Sequence, residues 1–521
     1  MQTMYDLVWM QAERTPDALA LADDISERSF TYRQLIEEVE AIAAGLAARG
    51  VSAGTRIATC LPNVFEHGLC ILALQRLAAV PALINPRLEA QDAGRLIEAG
   101  ELAGAIIHAD KVLAQAVGDA LPQDALFLVV GDSAGAAEGF EGCRGDPARL
   151  PPIPAPDPEA PCIIFYTSGT TGLPKGVVLA HRTSEHRIVW LSTQAGLRHG
   201  PHNKALGFMP ISHAIGFYGV FLASLAYGGS YHVMSAFDPA AAIELIEKRG
   251  ITYIFAAPTL YYAMLNAPNY EPRRMNSLAL CLYGGAIIDP KMLERMDSDW
   301  RHATFRHIYG TTETMCSGYN PDPVGDSAAL GAGYATRVRA IALGGGPNDR
   351  IGPGVEGELI VDATGDVIFS EYLNRPDATA EAVRQGWYYT GDVITLDERG
   401  FFTLKGRVDD MIRSGGESIH PEPVETVLRE HANVADCSVI GIADPKWGQV
   451  VVGCIVTKDD VTPADLDSHC KSGRLAGFMR PRAYLFVEEI PRNPGNGNVL
   501  RRLLRERAIT VRDGGAGYHS V

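Results

Sequence analysis

Residues 163–166, Ile-Ile-Phe-Tyr, form a short apolar run that leads into Thr167-Ser168-Gly169-Thr170-Thr171-Gly172-Leu173-Pro174-Lys175-Gly176. Four hydroxyls, two glycines and a lysine within nine residues suit a loop at the end of a buried strand. Its amides and hydroxyls can surround phosphate oxygens while Lys175 supplies positive charge. The order is not that of the common P-loop, which puts Gly-Lys-Ser/Thr directly before a helix. Five further strings join glycine to hydroxyl, acid or aromatic residues: Gly284-Gly285-Ala286, Tyr309-Gly310-Thr311-Thr312-Glu313, Tyr389-Thr390-Gly391-Asp392, Gly406-Arg407-Val408-Asp409-Asp410 and Gly415-Gly416-Glu417. Any one of them alone is weak, because an acid after a glycine turn is usually a solvated turn residue. The information lies in the ordered set.

That ordered set resembles the adenylate-forming superfamily, which holds acyl- and aryl-CoA ligases, peptide-synthetase adenylation domains and luciferases. The resemblance covers nearly the whole chain. It implies ATP, Mg2+ and coenzyme A as the molecules the chain works with. In this reading Thr167, Ser168, Gly169, Thr170, Thr171, Gly172 and Lys175 hold phosphates, and Gly284, Gly285 and Ala286 lie beside adenine. Tyr309 stacks on adenine, Thr312 meets the α-phosphate and Glu313 ligates magnesium, for which a hard carboxylate oxygen is suited. Asp392 accepts from the ribose hydroxyls through charge-assisted bonds, with Arg407 beside it. Asp409 is the hinge, and Gly415 and Gly416 close over the pantetheine channel. The implied reaction has two steps: a carboxylate and Mg-ATP give acyl-AMP and pyrophosphate, and a thiol then displaces AMP.

Several segments resemble the aryl-CoA ligases in particular, the 4-chlorobenzoate-CoA ligases above all: residues 83–88 (Leu-Ile-Asn-Pro-Arg-Leu), 194–200 (Gln-Ala-Gly-Leu-Arg-His-Gly), 406–412 and 443–449 (Ala-Asp-Pro-Lys-Trp-Gly-Gln). By that resemblance the acyl pocket is lined by Trp190, His213, Ala214, Ile215 and Phe255. Gly284, Ile308, Gly310, Met315 and Cys316 complete it. The set is uncharged and partly aromatic, which suits a flat apolar acid. His213 has the bland alternative of a hydrogen-bonded core histidine, and Trp190 and Phe255 that of plain core. Arg87, Trp447, Phe478 and Arg480 resemble residues that meet the CoA nucleotide.

One position departs from the superfamily pattern, in which a lysine about six residues after a proline bridges carboxylate and phosphates during adenylation. Here the stretch is Pro491-Arg492-Asn493-Pro494-Gly495-Asn496-Gly497-Asn498-Val499-Leu500-Arg501, with one residue more than the pattern and Asn498 in the lysine's place. No lysine follows Lys471. Three explanations stay open: a natural variant with weakened adenylation, an engineered block, or rescue by Arg492 or Arg501.

These residues need elements to hold them. Thr31 and Gln34 form a capping-box pair, and Tyr32, Leu35, Ile36, Val39, Ile42, Ala43 and Leu46 recur at helical spacing until Gly50. Residues 56–61 then read as a strand, 65–77 as an apolar helix and 80–84 as another strand. This alternation predicts α/β layers with a largely parallel sheet. A Pro/Ala-rich stretch, 150–161, reads as a surface loop, and near residue 350 the texture changes to short strands between glycine and charged turns. The fold class expected is α/β: a large multi-sheet N-terminal domain, 1–408, and a small mobile α+β C-terminal lid, 409–521, with the active site between them.

Composition sets the outer bounds. The 521 residues carry a formal charge of -16 without a Lys/Arg-rich run, which argues against nucleic acid or an anionic membrane as partner. Nine scattered cysteines without a CxxC pair read as buried thiols in a reducing compartment. Residues 205–237 lack Asp, Glu, Lys and Arg, yet Pro210, Ser212, His213 and Gly228-Gly229 interrupt them. A strand, a loop and a buried helix fit better than a membrane span. No signal peptide is apparent, so the expected location is the cytoplasm. The partners expected are a small carboxylic acid, ATP and CoA, and the sequence leaves a homodimer open. Two other functions also stay open: a freestanding adenylation protein that loads a carrier-protein thiol, and a catalytically silent homologue that binds acyl-AMP or CoA as a sensor.

Overall fold

The computed structural model describes residues 2–131, 138–167, 173–333, 336–472, 475–492, 499–514 and 518–520. The chain gathers into two compact units. One takes the described residues up to Val338 together with Val361–Tyr388; the other takes Arg339–Ile360 and the chain from Tyr389 onward. The expected break after residue 408 falls inside the second unit. Asp392 to Leu396 pairs antiparallel with Phe402 to Arg407, and both strands go with the later chain.

Two sheets build the first unit. In one, Val80–Leu83, Arg56–Cys60, Gly104–His108 and Leu126–Val130 run parallel, and Pro161–Thr167 continues beside Val80–Leu83. Lys175–Ala180 and Glu371–Tyr372 then add antiparallel at that edge. In the other, Lys204–Gly207, Ser230–Val233, Tyr253–Ala256, Leu280–Gly284 and Thr304–Tyr309 are parallel, and the sheet closes on antiparallel Gly318–Asn320. The helix Tyr32–Ala48 starts where the capping box placed it: Thr31 Oγ1 accepts from the Gln34 N–H, and Gln34 Oε1 accepts from the Thr31 N–H. All seven residues of its apolar spacing are buried. The uncharged stretch resolves into the strand Lys204–Gly207, a buried π-helical and α-helical run, Ile215–Leu222 and Ala223–Ala226, and the strand Ser230–Val233. Among the described residues no helix is long and apolar enough to cross a membrane. All nine cysteines are buried and unpaired.

The second unit contains a mixed sheet in which Val434–Asp444 and Gly448–Thr457 form a long antiparallel pair, with Ala483–Phe486 parallel to the latter. The helices Pro421–Arg429, Pro463–Ser472 and Arg501–Gly514 accompany it.

Burial leaves a titration signature in the first unit. His67, His213, His232 and His307 are each pushed from the ordinary 6.5 down to about 4 by lost solvation. The unfolded chain would take up these protons near pH 6.5, whereas the folded chain resists until about 4. Their contribution to stability is therefore whole above 6.5 and is lost progressively as pH falls toward 4. Each site changes stability by at most about 1.4 kcal/mol per pH unit in that window. The urea midpoint should fall between pH 6.5 and 4.5, and His67→Gln should flatten the slope. A midpoint independent of pH there would contradict the burial argument.

Candidate active site

The strand Pro161–Thr167 ends with Thr167 opposite Lys175 on Lys175–Ala180, and Thr167 Oγ1 donates to the Lys175 carbonyl at 3.4 Å. The two ends of the Ser/Thr/Gly loop are thus pinned side by side. Ser168, Gly169, Thr170, Thr171 and Gly172 lie outside the described residues. Lys175 Nζ sits 4.8 Å from the ring centroid of Tyr372.

Glycine sets the next two strings by close approach. Gly284 pairs with Ile308, and a Cβ on it would lie 2.6 Å from the Ile308 oxygen. Gly285 has φ +84° and with Ala286 is exposed at the strand's end. Strand pairing thereby brings Gly284–Ala286 beside Ile308 and Tyr309. Gly310 is tighter still, since a Cβ there would lie 1.5 Å from the Met315 carbonyl oxygen. Residues 311–317 form a compact turn with Met315 in the left-handed region, φ +58°. Its hub is the buried Thr314 hydroxyl, which accepts from Ser317 Oγ at 2.8 Å and lies 3.2 Å from Thr311 Oγ1.

The backbone of this turn is held by Arg187, which is fully buried on the helix His181–Trp190. Its Nη2 donates to the carbonyls of Thr312 at 2.9 Å, Glu313 at 3.2 Å and Val367 at 3.1 Å. Its guanidinium carbon lies 5.3 Å from the Tyr218 ring centroid. Burial lowers its pKa, so the carbonyls and the π-face compensate a charge taken out of water. The Glu313 side chain is buried and accepts from the Tyr372 hydroxyl at 2.7 Å. The Glu313 carboxyl, the Thr314 hydroxyl and the paired residues Thr167 and Lys175 therefore belong to one unit.

The apolar residues named from sequence connect through a chain of contacts. The Trp190 ring meets Tyr319 edge-on at 5.9 Å, and Tyr319 pairs with Ile308. Ile308 pairs with Gly284, whose added Cβ would stand 3.7 Å from Phe255. Phe255 in turn packs on Gly219, where a Cβ would come within 2.6 Å of the ring, with Ile215 nearby. Ala214, Met315 and Cys316 belong to the same apolar cluster. His213 Nδ1 accepts from the Ile215 N–H at 3.3 Å, which assigns the ring hydrogen of the neutral imidazole to Nε2. With His213 depressed to about 4, the wall carries no charge at neutral pH. Trp190 and Ile215 each begin or adjoin a π-helical stretch, Leu191–Ala195 and Ile215–Leu222, a feature that frequently marks functional segments. The Trp190 Nε1 has no hydrogen-bond partner among the described residues.

In the second unit Asp392 is buried, faces Arg407 across the strand pair and accepts from its Nη1 at 3.0 Å. The peptide before it is fixed: Glu358 Oε1 accepts from the Gly391 N–H at 3.0 Å, and Thr390 Oγ1 accepts from the Asp392 N–H at 3.0 Å. Gly391, at φ +70°, would put a Cβ 2.9 Å from Arg407 Nη2. Asp409 lies on the 3-10 turn Val408–Asp410, and its carbonyl accepts from Arg505 at 3.3 Å. Gly415 at φ +61° packs on Trp447, its N–H donating to the Trp447 carbonyl at 2.8 Å, and Gly416 comes next at φ +89°. Arg482 and Lys446 lie 4.1 and 5.1 Å from the Trp447 ring centroid. Phe478, 43% exposed, stands on the turn Gly477–Met479, and Arg480 lies 3.8 Å from Asp467. Arg87 is an exposed residue of the first unit.

Asn498 lies outside the described residues, but its flanks do not. Arg492 bridges to Val499, and the Leu500 N–H donates to the Pro491 carbonyl at 2.8 Å. Arg492 pairs with Asp436 at 2.7 Å. Arg501 joins Asp410 at 3.0 Å to Glu425 at 2.7 Å.

Residues 8–373 match the AMP-binding enzyme family and residues 423–496 its C-terminal domain. The chain belongs to the AMP-binding enzyme family. It is 42% identical to a 4-chlorobenzoate–CoA ligase of Arthrobacter sp., over 97% of this chain and 95% of that protein. It is 35% identical to the 4-chlorobenzoate–CoA ligase of Pseudomonas sp. (strain CBS-3), over 98% and 95%. An anthranilate CoA ligase crystallised with anthranoyl-AMP shares the fold, with a TM-score of 0.85, 21% identity and coverage of 98% of both chains.

In this AMP-binding enzyme the sequence reading missed the residues that hold the site residues in place. Arg187 is one of two arginines in the helical string His-Arg-Thr-Ser-Glu-His-Arg, with nothing to mark which is buried. Thr314, Tyr372 and Glu358 act through contacts that periodicity does not reveal. The one available signal was Gly310, because a glycine inside a hydroxyl-rich turn implies close backbone approach. Arg187→Met should lower unfolding free energy by about 1–3 kcal/mol, the cost of unpaired buried carbonyls. Arg187→Lys should recover little, because one ammonium cannot reproduce a planar fork. Urea unfolding of the three proteins measures this, and full rescue by lysine would contradict it.

Proposed function

We propose that this AMP-binding enzyme is an ATP-dependent carboxylate–CoA ligase for a benzoate-like aromatic acid, working through the acyl-AMP. The observation that carries the reading is continuity within the turn 310–316. Met315 and Cys316 join the apolar cluster, while Thr312 and Glu313 of the same turn are the residues read as meeting phosphate and magnesium. An acid seated against that wall would present its carboxylate to the nucleotide's α-phosphorus. Full-length likeness to two 4-chlorobenzoate–CoA ligases supports the same substrate class.

Each site residue then has a role. Lys175 and the Ser/Thr/Gly loop bind the phosphates, and Gly284–Ala286 with Tyr309 receive the adenine. Thr312 donates to the α-phosphate as charge builds there. Asp392, oriented by Thr390 and accompanied by Arg407, takes the ribose hydroxyls. Among the described residues no group of three or more His, Cys, Asp or Glu could hold a metal. A lone buried Glu313 fits magnesium, which binds through one or two carboxylates plus substrate phosphates. When bound, the ion would neutralise phosphate charge. Arg87, Trp447, Phe478 and Arg480 are read as CoA-nucleotide contacts, with Arg482 added by its place on Trp447. Asp409 is the proposed hinge by which the second step is exposed to the thiol. Buried, unpaired thiols support a cytoplasmic enzyme, and a homodimer is compatible with this reading.

Turnover across a panel of acids tests the substrate class. Benzoate-like acids should outrun acetate and palmitate in CoA-dependent AMP release. Faster turnover of either aliphatic acid than of every aromatic acid tried would refute the aromatic assignment.

The asparagine at 498 favours one refinement, that adenylation is the slow step. Loss of one preorganised charged donor costs about 10²–10³ in rate, and both arginines that could substitute are engaged in ion pairs. Synthetic acyl-AMP plus CoA should therefore react at a normal rate while adenylation lags. Asn498→Lys, or Gly497→Lys given the extra residue, should accelerate only the first step in single-turnover measurements. Fast adenylation by the unmodified chain, with no gain from either lysine, would show that another group has taken the role. The sensor alternative predicts no turnover at all, and a carrier-protein loader predicts no thioester with free CoA.

A further inference from the structure

Tyr372 belongs to none of the motif strings, yet it touches two residues that do. Its hydroxyl donates to Glu313 Oε1 at 2.7 Å, and Lys175 Nζ lies 4.8 Å from the centroid of its ring. Glu313 and Lys175 are 138 residues apart in sequence, and among the described residues they form no ion pair with each other. One buried phenol separates a cation from an anion.

The tyrosine is itself firmly set. Its backbone pairs with Val177, two residues beyond Lys175, and its N–H donates to Thr379 Oγ1 at 2.9 Å. The Leu373 N–H donates to the Gly176 carbonyl at 2.7 Å, and the ring packs on Phe369 at 4.8 Å. Phe369 in turn meets the Tyr388 ring edge-on at 5.6 Å. Position and orientation of the phenol are therefore fixed from three sides before any ligand arrives.

We propose that Tyr372 is a positioning residue that keeps Lys175 and Glu313 apart and available to the triphosphate and its metal. A direct Lys175–Glu313 pair would neutralise both groups, leaving neither charge for phosphate or cation. The hydroxyl occupies one carboxylate oxygen and leaves the other for a hard cation. The ring holds the ammonium through its π-face, an attraction that phosphate oxygens can displace. This inference rests on the proposed roles of Glu313 and Lys175.

Tyr372→Phe removes only the hydroxyl, and Tyr372→Leu removes the π-face as well. Calorimetry of ATP binding, with magnesium and with chelator, separates the two contacts. Tyr372→Phe should weaken MgATP binding about tenfold, as for one lost bond to a charged group, while metal-free ATP binding stays unchanged. Tyr372→Leu should weaken both. In the Glu313→Gln background Tyr372→Phe should add nothing, the non-additivity expected of a shared contact. Thioester formation from synthetic acyl-AMP and CoA should not acquire a magnesium dependence. Equal loss of ATP affinity with and without magnesium in Tyr372→Phe, or additive effects with Glu313→Gln, would overturn the proposal. The binding readouts stand whether or not any aromatic acid is turned over, so failure of the substrate reading is visible separately.

Discussion

The first unit depends on keeping one guanidinium charged out of water. Removing an ion from solvent costs several kcal/mol even after relaxation, and Arg187 meets that cost with the carbonyls of Thr312, Glu313 and Val367 and the face of Tyr218. The compensation has mechanical consequences. The Thr-Thr-Glu turn and the segment 367–372 share one donor, and the Phe369 N–H donates to the Glu313 carbonyl as well. Tyr218 continues the chain of contacts through Ser184 at 2.6 Å to Cys162 at 3.1 Å. Cys162 lies on the strand that feeds the Ser/Thr/Gly loop. Strand, helix and turn thus share one frame, although they are far apart in sequence.

Legibility in the sequence tracks how local each cause is. A capping box needs two residues three apart, and Thr31–Gln34 was legible for that reason. A buried helix face needs only spacing, and the Tyr32–Leu46 set is buried throughout. Alternation of helical and strand patterns was enough for the α/β class, and the uncharged stretch resolved as strand, loop and buried helix. Non-local causes were invisible. Nothing near Met315 announces a left-handed residue, because the constraint is the Gly310–Met315 approach, in which backbone meets backbone. Nothing marks Arg187 over Arg182, whose side chain reaches Glu159 at the surface. The second compact unit begins before the expected boundary: residues 339–360 and 389–408, read from sequence as part of the large domain, gather with the later chain.

The second unit uses charge in another way. Trp447 stands within cation–π range of both Arg482 and Lys446, two cations that the sequence reading did not name beside it. The π-face of the indole thus balances positive charge held close to it. Asp392 differs again. It is buried against Arg407, and its carboxylate direction is set by the fixed 390–392 peptide. A turn acid that would ordinarily be solvated is thereby made into a directed acceptor.

The same unit shows why asparagine at 498 is not easily offset by a neighbour. Arg501 bonds Asp410 and Glu425 at once and also donates to the Val439 carbonyl. Glu425 is buried and further accepts from Ser438 Oγ and the Val439 N–H. Withdrawing Arg501 toward a substrate would take one of two arginine partners from each carboxylate, since Glu425 also pairs with Arg429 and Asp410 also pairs with Arg505. Arg505 is held by the same Asp410. Arg492 is held by Asp436 at 2.7 Å and by the backbone bridge to Val499. Both arginines that flank the 493–498 segment are thus already committed to carboxylates of the fold, and in the proposed scheme this is why asparagine at 498 makes adenylation the slower step.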